Sequence, residues 1–330
     1  MFHLIPQSTK IDFANKRHLW LGVSITLLIG TVVLWNTKGL NYGIDFDGGA
    51  EVQVLMPSSW DIGKLRSALD KGGVKDARVQ RLGEDASGEF LIRAAGDEKE
   101  IAAVAGQVQR ILSETLKEGS DYKILKSDVV GAAAGSTLRK KAFLSVFYAL
   151  LVILIYVAIR FDSRYAPGAV MALFHDATLT IGALIVLGVQ FDLTVLAAIL
   201  ALVGYSNNDT IIVYDRVRET LHLRPNLKIE DAVNLSINET LNRTIVTSLS
   251  TFIVSFSLFL FGGPVIRGFA TTFTIGLVIG TYSSIFIASS MLIEIAKYQQ
   301  RRSKEVKSNP KKKRRTYEVP PDPSSSMGNM

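Results

Sequence analysis

Residues 193–219 read LTVLAAILALVGYSNNDTIIVYDRVRE, and how this stretch is read decides the fold. The segment 193–214 is long enough to cross a bilayer, which takes about 20 mostly apolar residues. Its second half nevertheless holds Tyr205, Ser206, Asn207, Asn208, Asp209 and Thr210. One alternative ends the span near Val203 and leaves these groups in a loop. Against it, Ile211, Ile212, Val213 and Tyr214 resume the apolar run before Asp215 and Arg216. Asp209 is therefore expected inside the span, roughly 9 Å from its charged end at the rise of an α-helix.

Five further stretches behave alike: 19–35, 142–159, 166–189, 244–261 and 269–293. The first is short, but Arg17 and Lys38 can snorkel to the interfaces. Asn36-Thr37-Lys38 is no small-residue cleavage site, so the segment reads as a retained anchor rather than a signal peptide. Apolar residues make up 48% of the chain while 20% are charged, a mixture that implies spans joined to a water-exposed domain. With no cysteine, disulfides, thiolate metal sites and thiol nucleophiles are excluded.

Lysine and arginine in short loops set the orientation. They gather in the arm 1–18 (Lys10, Lys16, Arg17), at Arg160 and Arg164, at Arg216, Arg218, Arg224, Lys228 and Arg243, and in the tail 294–330. Both termini are thus expected in the cytoplasm, with the segment 36–141 across the membrane from them. Arg139, Lys140 and Lys141 run against this rule; long translocated loops are largely exempt from it. Much of the net charge of +7 sits at 311–315. It reads as a basic, disordered tail near anionic lipid rather than a nucleic-acid site.

Between 50 and 130 the pattern is β-α-β-β-α-β: strands at 50–56, 77–82, 89–94 and 122–130, helices at 61–70 and 98–116. The second helix places Ile101, Val104, Ala105, Val108, Ile111 and Leu112 on one face. The order is that of the ferredoxin-like split βαβ. Basic and acidic residues balance across 36–141, and neither histidine nor a metal-ligand cluster occurs there. A binding or lever module is expected, with no metal.

Ionisable groups inside a bilayer are costly and are functional candidates by default. Asp209 needs a partner there, and Arg243, opening the fifth span, lies at a similar depth. The pair could switch as the carboxylate gains and loses a proton, with Ser206 and Asn208 beside it, or it could be a static ion pair. His175 and Asp176 fall in mid-span; the histidine is either a packed, hydrogen-bonded residue or a member of a proton relay. Gly276, Gly280 and Ser284 form a small-residue ridge for close helix packing. The segment 229–241 reads as a separate amphipathic helix at the cytoplasmic interface, with Asn234 and Asn238 on its polar face.

One span, a translocated domain and five more spans is half the plan of the twelve-span resistance-nodulation-division transporters. The detailed motifs go further. Gly43-Ile44-Asp45-Phe46-Asp47-Gly48-Gly49 resembles the G-x-D-F-x-G-G signature of the SecD/SecF family, and 204–219 is similar to its SecF-type G-Y-S-x-N-D-T and D-R-x-R-E segments. Phe174-His175-Asp176, 241–248 and 276–288 resemble the same proteins. The likeness covers about 15–297. Asn207 departs from it, standing where an aliphatic residue is usual.

This resemblance implies a non-enzymatic accessory subunit with no cofactor other than protons as coupling ion. It implies pairing with SecD in a twelve-span unit beside SecYEG, at times with YajC. The unit would use the proton gradient to promote late, periplasmic steps in export of unfolded preproteins, Asp209 and Arg243 matching the charged residues linked to proton flow. The motif at Gly43, Asp45, Phe46, Gly48 and Gly49 would act as the periplasmic hinge. Three alternatives remain: an assembly subunit with proton coupling left to SecD, a small-molecule exporter, and an intramembrane hydrolase. No H-E-x-x-H, G-x-S-x-G or G-x-G-D motif supports the last.

Overall fold

The computed structural model describes residues 9, 11–57, 60–74, 77–82, 88–94, 98–115, 122–160 and 165–308. Lys10, Arg164, the turn at 83–87, the basic run 311–315 and the end of the tail lie outside them. Six helices are long and apolar enough to cross a membrane, so the polytopic reading of the sequence holds. They are α1 (Arg17–Thr37), α5 (Ala132–Arg160), α6 (Ala166–Leu187), α7 (Leu193–Leu223), α8 (Ile229–Phe261) and a last rod. That rod is built from α9 (Gly263–Tyr282), a π-helical turn (Ser283–Ala288) and α10 (Ser289–Ser308).

Between α1 and α5 come a single-turn helix, α2 (Ile44–Asp47), then β1 (Gly49–Leu55), α3 (Ile62–Lys71), β2 (Arg78–Leu82), β3 (Glu89–Ala94), α4 (Glu98–Thr115) and β4 (Lys123–Val130). The sheet order is β2-β3-β1-β4, and every neighbouring pair is antiparallel. This is the ferredoxin-like arrangement that the element order implied. One face of the sheet packs Val52, Val54, Phe90 and Ile92 against Leu65, Leu69, Val108 and Leu112 of α3 and α4. Phe90 is fully buried; truncating such a side chain costs about 3–5 kcal/mol. Asp61 starts α3 by accepting the Lys64 amide at 2.7 Å, a side-chain N-cap.

Two expectations from the sequence need correction. The segment 229–241 is not a separate interfacial helix: it is the first third of α8, continuous with the fifth span. No glycine or proline lies between Leu241 and Thr244 to stop it. Its apolar stripe of Val233, Ile237 and Leu241 packs with Val213, Tyr214 and Val217 of α7 and with Phe13. Asn234 and Asn238 do not face a headgroup layer either; they accept the backbone amides of Phe13 at 2.8 Å and Ile11 at 2.9 Å. The second correction concerns the tail, whose first part, through Ser308, is helical in α10.

Both described ends of the chain meet at one end of the bundle, where Arg17 pairs with Glu294 at 2.8 Å and Lys297 with Glu230 at 2.6 Å. The outer domain sits at the other end.

Candidate functional site

Helix α7 carries the expected site and is anchored at its start. Asp192 accepts the Val195 amide at 2.8 Å, and Asp45, reaching across from α2, accepts the Leu193 amide at 3.0 Å. The helix continues unbroken through the polar run to Leu223, so the alternative that stopped it near Val203 falls. Asp209 is 2% exposed. Its Oδ2 accepts the hydroxyl of Ser248 on α8 at 3.3 Å. The hydroxyls of Thr210 and Thr244 are buried without a hydrogen-bond partner among the described residues.

Arg243 acts on Asp209 electrostatically, but among the described residues no ion pair within 4.0 Å joins them. Helix phase explains why. Leu241, Thr244 and Ser248 share the buried face of α8, whereas Arg243 lies on its exposed side, out of phase with Ser248 at 3.6 residues per turn. Depth along the chain correctly matched the two residues, but it does not report which face each one occupies. Asn208 is also exposed on the outside of this half, while Asn207 is buried with its Oδ1 unpartnered among the described residues.

A second polar centre lies one turn away. Asp176 is fully buried; its Oδ2 accepts the Ser206 hydroxyl at 2.5 Å and its Oδ1 lies 2.9 Å from Nδ1 of His175. Close helix approach makes this possible. A Cβ on Gly280 would stand 3.1 Å from the Ser206 side chain and 3.7 Å from Asp176 Oδ2, and one on Gly276 would meet Leu202 at 2.2 Å. The ridge of small residues therefore seats the last rod on α7. The π-helical turn that follows was not legible beforehand. It buries Ser283 and Ser284, with Ser283 set beside the Asp176 carboxylate but outside hydrogen-bonding geometry. Ser284 donates to the carbonyl of Thr281 at 3.1 Å, and Tyr214 donates to the carbonyl of Ala288 at 2.7 Å. Such turns free backbone carbonyls and recur at functional sites.

The glycine-rich motif forms a third element, a tight joint between domain and bundle. Ile44 and Phe46 are buried, Phe46 packing against Phe191 with ring centroids 5.7 Å apart and planes tilted by 33°. Gly48 and Gly49 adopt φ of 76° and 128°, a region that only glycine enters freely. A Cβ on Gly49 would lie 2.9 Å from the Ala94 carbonyl, and one on Gly43 would lie 3.0 Å from Asp192. Glu51 of β1 completes the joint: it takes Nε2 of Gln190 at 2.6 Å and Nε of Arg93 at 3.0 Å. Arg139, for which the sequence offered no role, pairs with Asp47 at 3.6 Å and covers the ring of Tyr42.

Residues 110–298 match the family model described as the protein export membrane protein SecD/SecF C-terminal region, and 33–55 match the SecD/SecF GG motif. A protein translocase subunit SecF from Calditerrivibrio nitroreducens is 42% identical over 302 residues, covering 90% of this chain and 98% of that protein. The SecF of Pseudomonas aeruginosa is 38% identical over 283 residues, covering 86% and 90%. This chain belongs to the SecF family. Among solved structures, the SecDF of Thermus thermophilus, described as a translocon-associated membrane protein, superposes with a TM-score of 0.79 at 32% identity over 88% of this chain. SecDF in a super-membrane-facing form gives 0.65 at 31% identity over 94%. The chain spans about two fifths of those SecDF chains, 39% and 41% of their lengths.

The SecF-type segments thus converge in space. Ser206 and Asp209 on α7, His175 and Asp176 on α6 and Gly280 on α9 meet in the bundle, and the GG motif caps the helix that carries Asp209. Ser248, Ser24, Tyr282 and Glu51 were missed. A single serine or tyrosine in a span carries no distinguishing pattern, and Glu51 alternates in β1 like any strand residue.

Proposed function

We propose that this SecF-family chain is the half of a SecD–SecF complex that uses the proton gradient to promote late steps of protein export through SecYEG. In this reading YajC is an occasional partner, unfolded preproteins are the cargo and anionic lipid lies near the basic tail. The chain acts without enzymatic chemistry or cofactor. Both termini face the cytoplasm and the four-stranded domain faces the periplasm; the meeting of Arg17, Glu294, Glu230 and Lys297 at one end of the bundle supports termini on one side.

The observation that carries the proposal is Asp209, a buried carboxylate with one serine hydroxyl as its hydrogen-bond partner and no ion pair among the described residues. Asp209 takes up and releases the coupling proton. When ionised it has Arg243 as the nearby positive charge, and loss of the proton favours their approach; protonation leaves Ser248 as the partner. Such a change of charge biases a two-state helix arrangement.

The test is export by inverted vesicles with and without a proton gradient, at matched subunit levels. Asp209→Asn keeps shape and hydrogen bonding but carries no exchangeable charge, so assembly survives and the gradient-dependent component is lost. Arg243→Ala loses the same component, and the double variant is little worse than either, as residues acting as a unit are non-additive. Full gradient stimulation in Asp209→Asn would refute this proton role and make Asp209 a structural residue.

A further inference from the structure

Asp209 does not account for the most continuous polar feature of the bundle. Starting on α7, Ser206 donates to Asp176 Oδ2 at 2.5 Å, and Asp176 Oδ1 lies 2.9 Å from His175 Nδ1. His175 Nε2 lies 3.1 Å from the hydroxyl of Ser24 on α1, and that hydroxyl lies 3.1 Å from the hydroxyl of Tyr282. Tyr282 in turn donates to the carbonyl of Trp20 at 3.3 Å. His175, Asp176, Ser206 and Ser24 are all buried. One chain of hydrogen bonds thus ties α6 to α7, α1 and the last rod.

With Asp176 ionised, the donors and acceptors of this chain allow two complete arrangements. The Trp20 carbonyl only accepts, so a Tyr282 hydroxyl bonded to it accepts from Ser24. Nε2 of His175 must then carry a hydrogen to give to Ser24. Nδ1 must carry one for the Asp176 carboxylate, so the ring is an imidazolium. If Ser24 instead donates to Nε2, the ring is neutral with its hydrogen on Nδ1, and the Tyr282 hydroxyl turns from the Trp20 carbonyl to donate to Ser24. The two states differ by one proton on Nε2 and the rotation of two hydroxyls. Neither needs a heavy atom to move, and neither leaves His175 or Asp176 unpaired.

The electrostatic surroundings fit a titrating group rather than a fixed ion pair. Among the described residues no lysine or arginine forms an ion pair with His175 or Asp176. Ser24 of α1 bonds His175, Tyr282 of the last rod lies against the imidazole, and Ser206 of α7 with Gly280 and Ser283 of the last rod lie beside Asp176. The nearest further carboxylate on α7 is Asp209, three residues beyond Ser206. Imidazole is the side chain whose ordinary proton affinity lies close to neutral pH.

We propose that His175 and Asp176 form a second proton-binding centre, loaded at Nε2 of His175. Loading is the transfer of one proton from water to Nε2, with the Ser24 hydroxyl swinging from Nε2 to Tyr282 and the Tyr282 hydroxyl from Ser24 to the Trp20 carbonyl; unloading reverses all three. The state of the centre is felt on α7 through Ser206 and on α1 through Ser24. The proposal rests on the reading that this bundle handles protons but not on Asp209 being the acceptor.

The test is infrared titration of the full chain in lipid vesicles with isotope-labelled histidine rings, subtracting His175→Gln from wild type to isolate one of the four histidines. The expected result is a one-proton imidazole transition that is absent from His175→Gln. Ser24→Ala and Tyr282→Phe each delete one hydroxyl and keep the packing. Ser24→Ala removes a charge-assisted bond from the loaded ring and a weaker neutral one from the unloaded ring, so the midpoint falls. Thr26→Ala, whose hydroxyl bonds the Gly22 carbonyl of its own helix, leaves it in place. A flat His175 signal, or a midpoint indifferent to Ser24→Ala, makes the chain of hydrogen bonds purely structural and overturns the proposal. Asp209→Asn separates the two readings. Lost export with an intact His175 transition supports both centres; retained export with an intact transition refutes only the role of Asp209. Loss of the transition itself refutes an independent second centre.

Discussion

Removing the Glu51 carboxylate should loosen the outer domain from the bundle far more than removing any other ion pair at the joint. Glu51 is 6% exposed and Arg93 is 15% exposed at the side chain, so neither charge has water to fall back on. Glu51→Ala deletes the bonds to Arg93 at 3.0 Å and Gln190 at 2.6 Å. Arg93 keeps Asn41 Oδ1 at 3.2 Å and the Tyr42 carbonyl at 3.3 Å, which moderates the loss. Arg93 lies beside Glu51 in the same sheet, so the bond that crosses to the bundle is the one from Gln190, and a hydrogen bond to a charged group is worth about 1.5–3 kcal/mol. At about 1.4 kcal/mol per tenfold, that is roughly a ten- to hundredfold rise in the undocked population.

Hydrogen exchange reads this population directly, because undocking exposes the amides of Gly43, Phe191 and Leu193. Their acceptors are Phe191 O, Asn41 O and Asp45 Oδ2, at 2.8, 2.7 and 3.0 Å. These amides should exchange about ten- to a hundredfold faster in Glu51→Ala, while those of the α3–α4 core change less. Glu89→Gln is the control: its ion pair with Arg267, at 3.2 Å, leaves the arginine 41% exposed and is worth about 1 kcal/mol or less. Equal protection at Gly43, Phe191 and Leu193 in wild type and Glu51→Ala would refute the idea that Glu51 holds the joint.

Gly276→Ala forces a methyl against Leu202, itself fully buried; it should destabilise the bundle by about 1–3 kcal/mol. Leu202→Ala should restore part of the melting temperature in the double variant, and no rescue would mean that the contact is not the cause. Tyr214→Phe removes the hydroxyl that donates to the Ala288 carbonyl at the π-helical turn and should cost about 0.5–1.5 kcal/mol, read as a lower thermal midpoint with unchanged assembly. The Lys126 ammonium is pulled down by burial, but the hydrogen bond and charge of Asp128, with Glu51 further off, hold it above the ordinary lysine value of 10.5. Its stabilisation is therefore complete below that value and lost as pH rises through the higher folded-state value. Lys126→Met should lower the unfolding midpoint at about pH 8 and converge with wild type near pH 12.

The sequence revealed most about elements built on long-range periodicity. Six apolar runs, the strand–helix order of the outer domain and the small-residue ridge at Gly276 and Gly280 all follow from patterns that repeat over a helix or strand. The carboxylates were legible because charge within an apolar run is rare. Pairing was not, since it depends on rotation about the helix axis. Arg243 and Ser248 both fall near the start of the fifth span, yet only Ser248 turns inward. The continuity of α8 was missed for a related reason: an amphipathic third joined to an apolar remainder looks like two elements until a partner covers the first. Here α7 and the arm at Phe13 cover it.

Helix α7 also explains why the GG motif and the buried carboxylates belong to one device. Leu193 and Asp209 are sixteen residues apart on an unbroken helix, about 24 Å at 1.5 Å per residue. At the outer end, Asp45 of the motif bonds the first amide of α7, and Gln190, just before it, bonds Glu51. At the inner end, Ser206 and Asp209 engage α6 and α8 through Asp176 and Ser248. A helix with no proline and no bulge between these points transmits displacement along its axis with little loss. A shift of α7, such as the proposed change of charge at Asp209 or Asp176 would drive, would reach Asp45 and Glu51 without an intermediate element. The glycines that let the motif approach α7 so closely would then make the outer domain follow the helix.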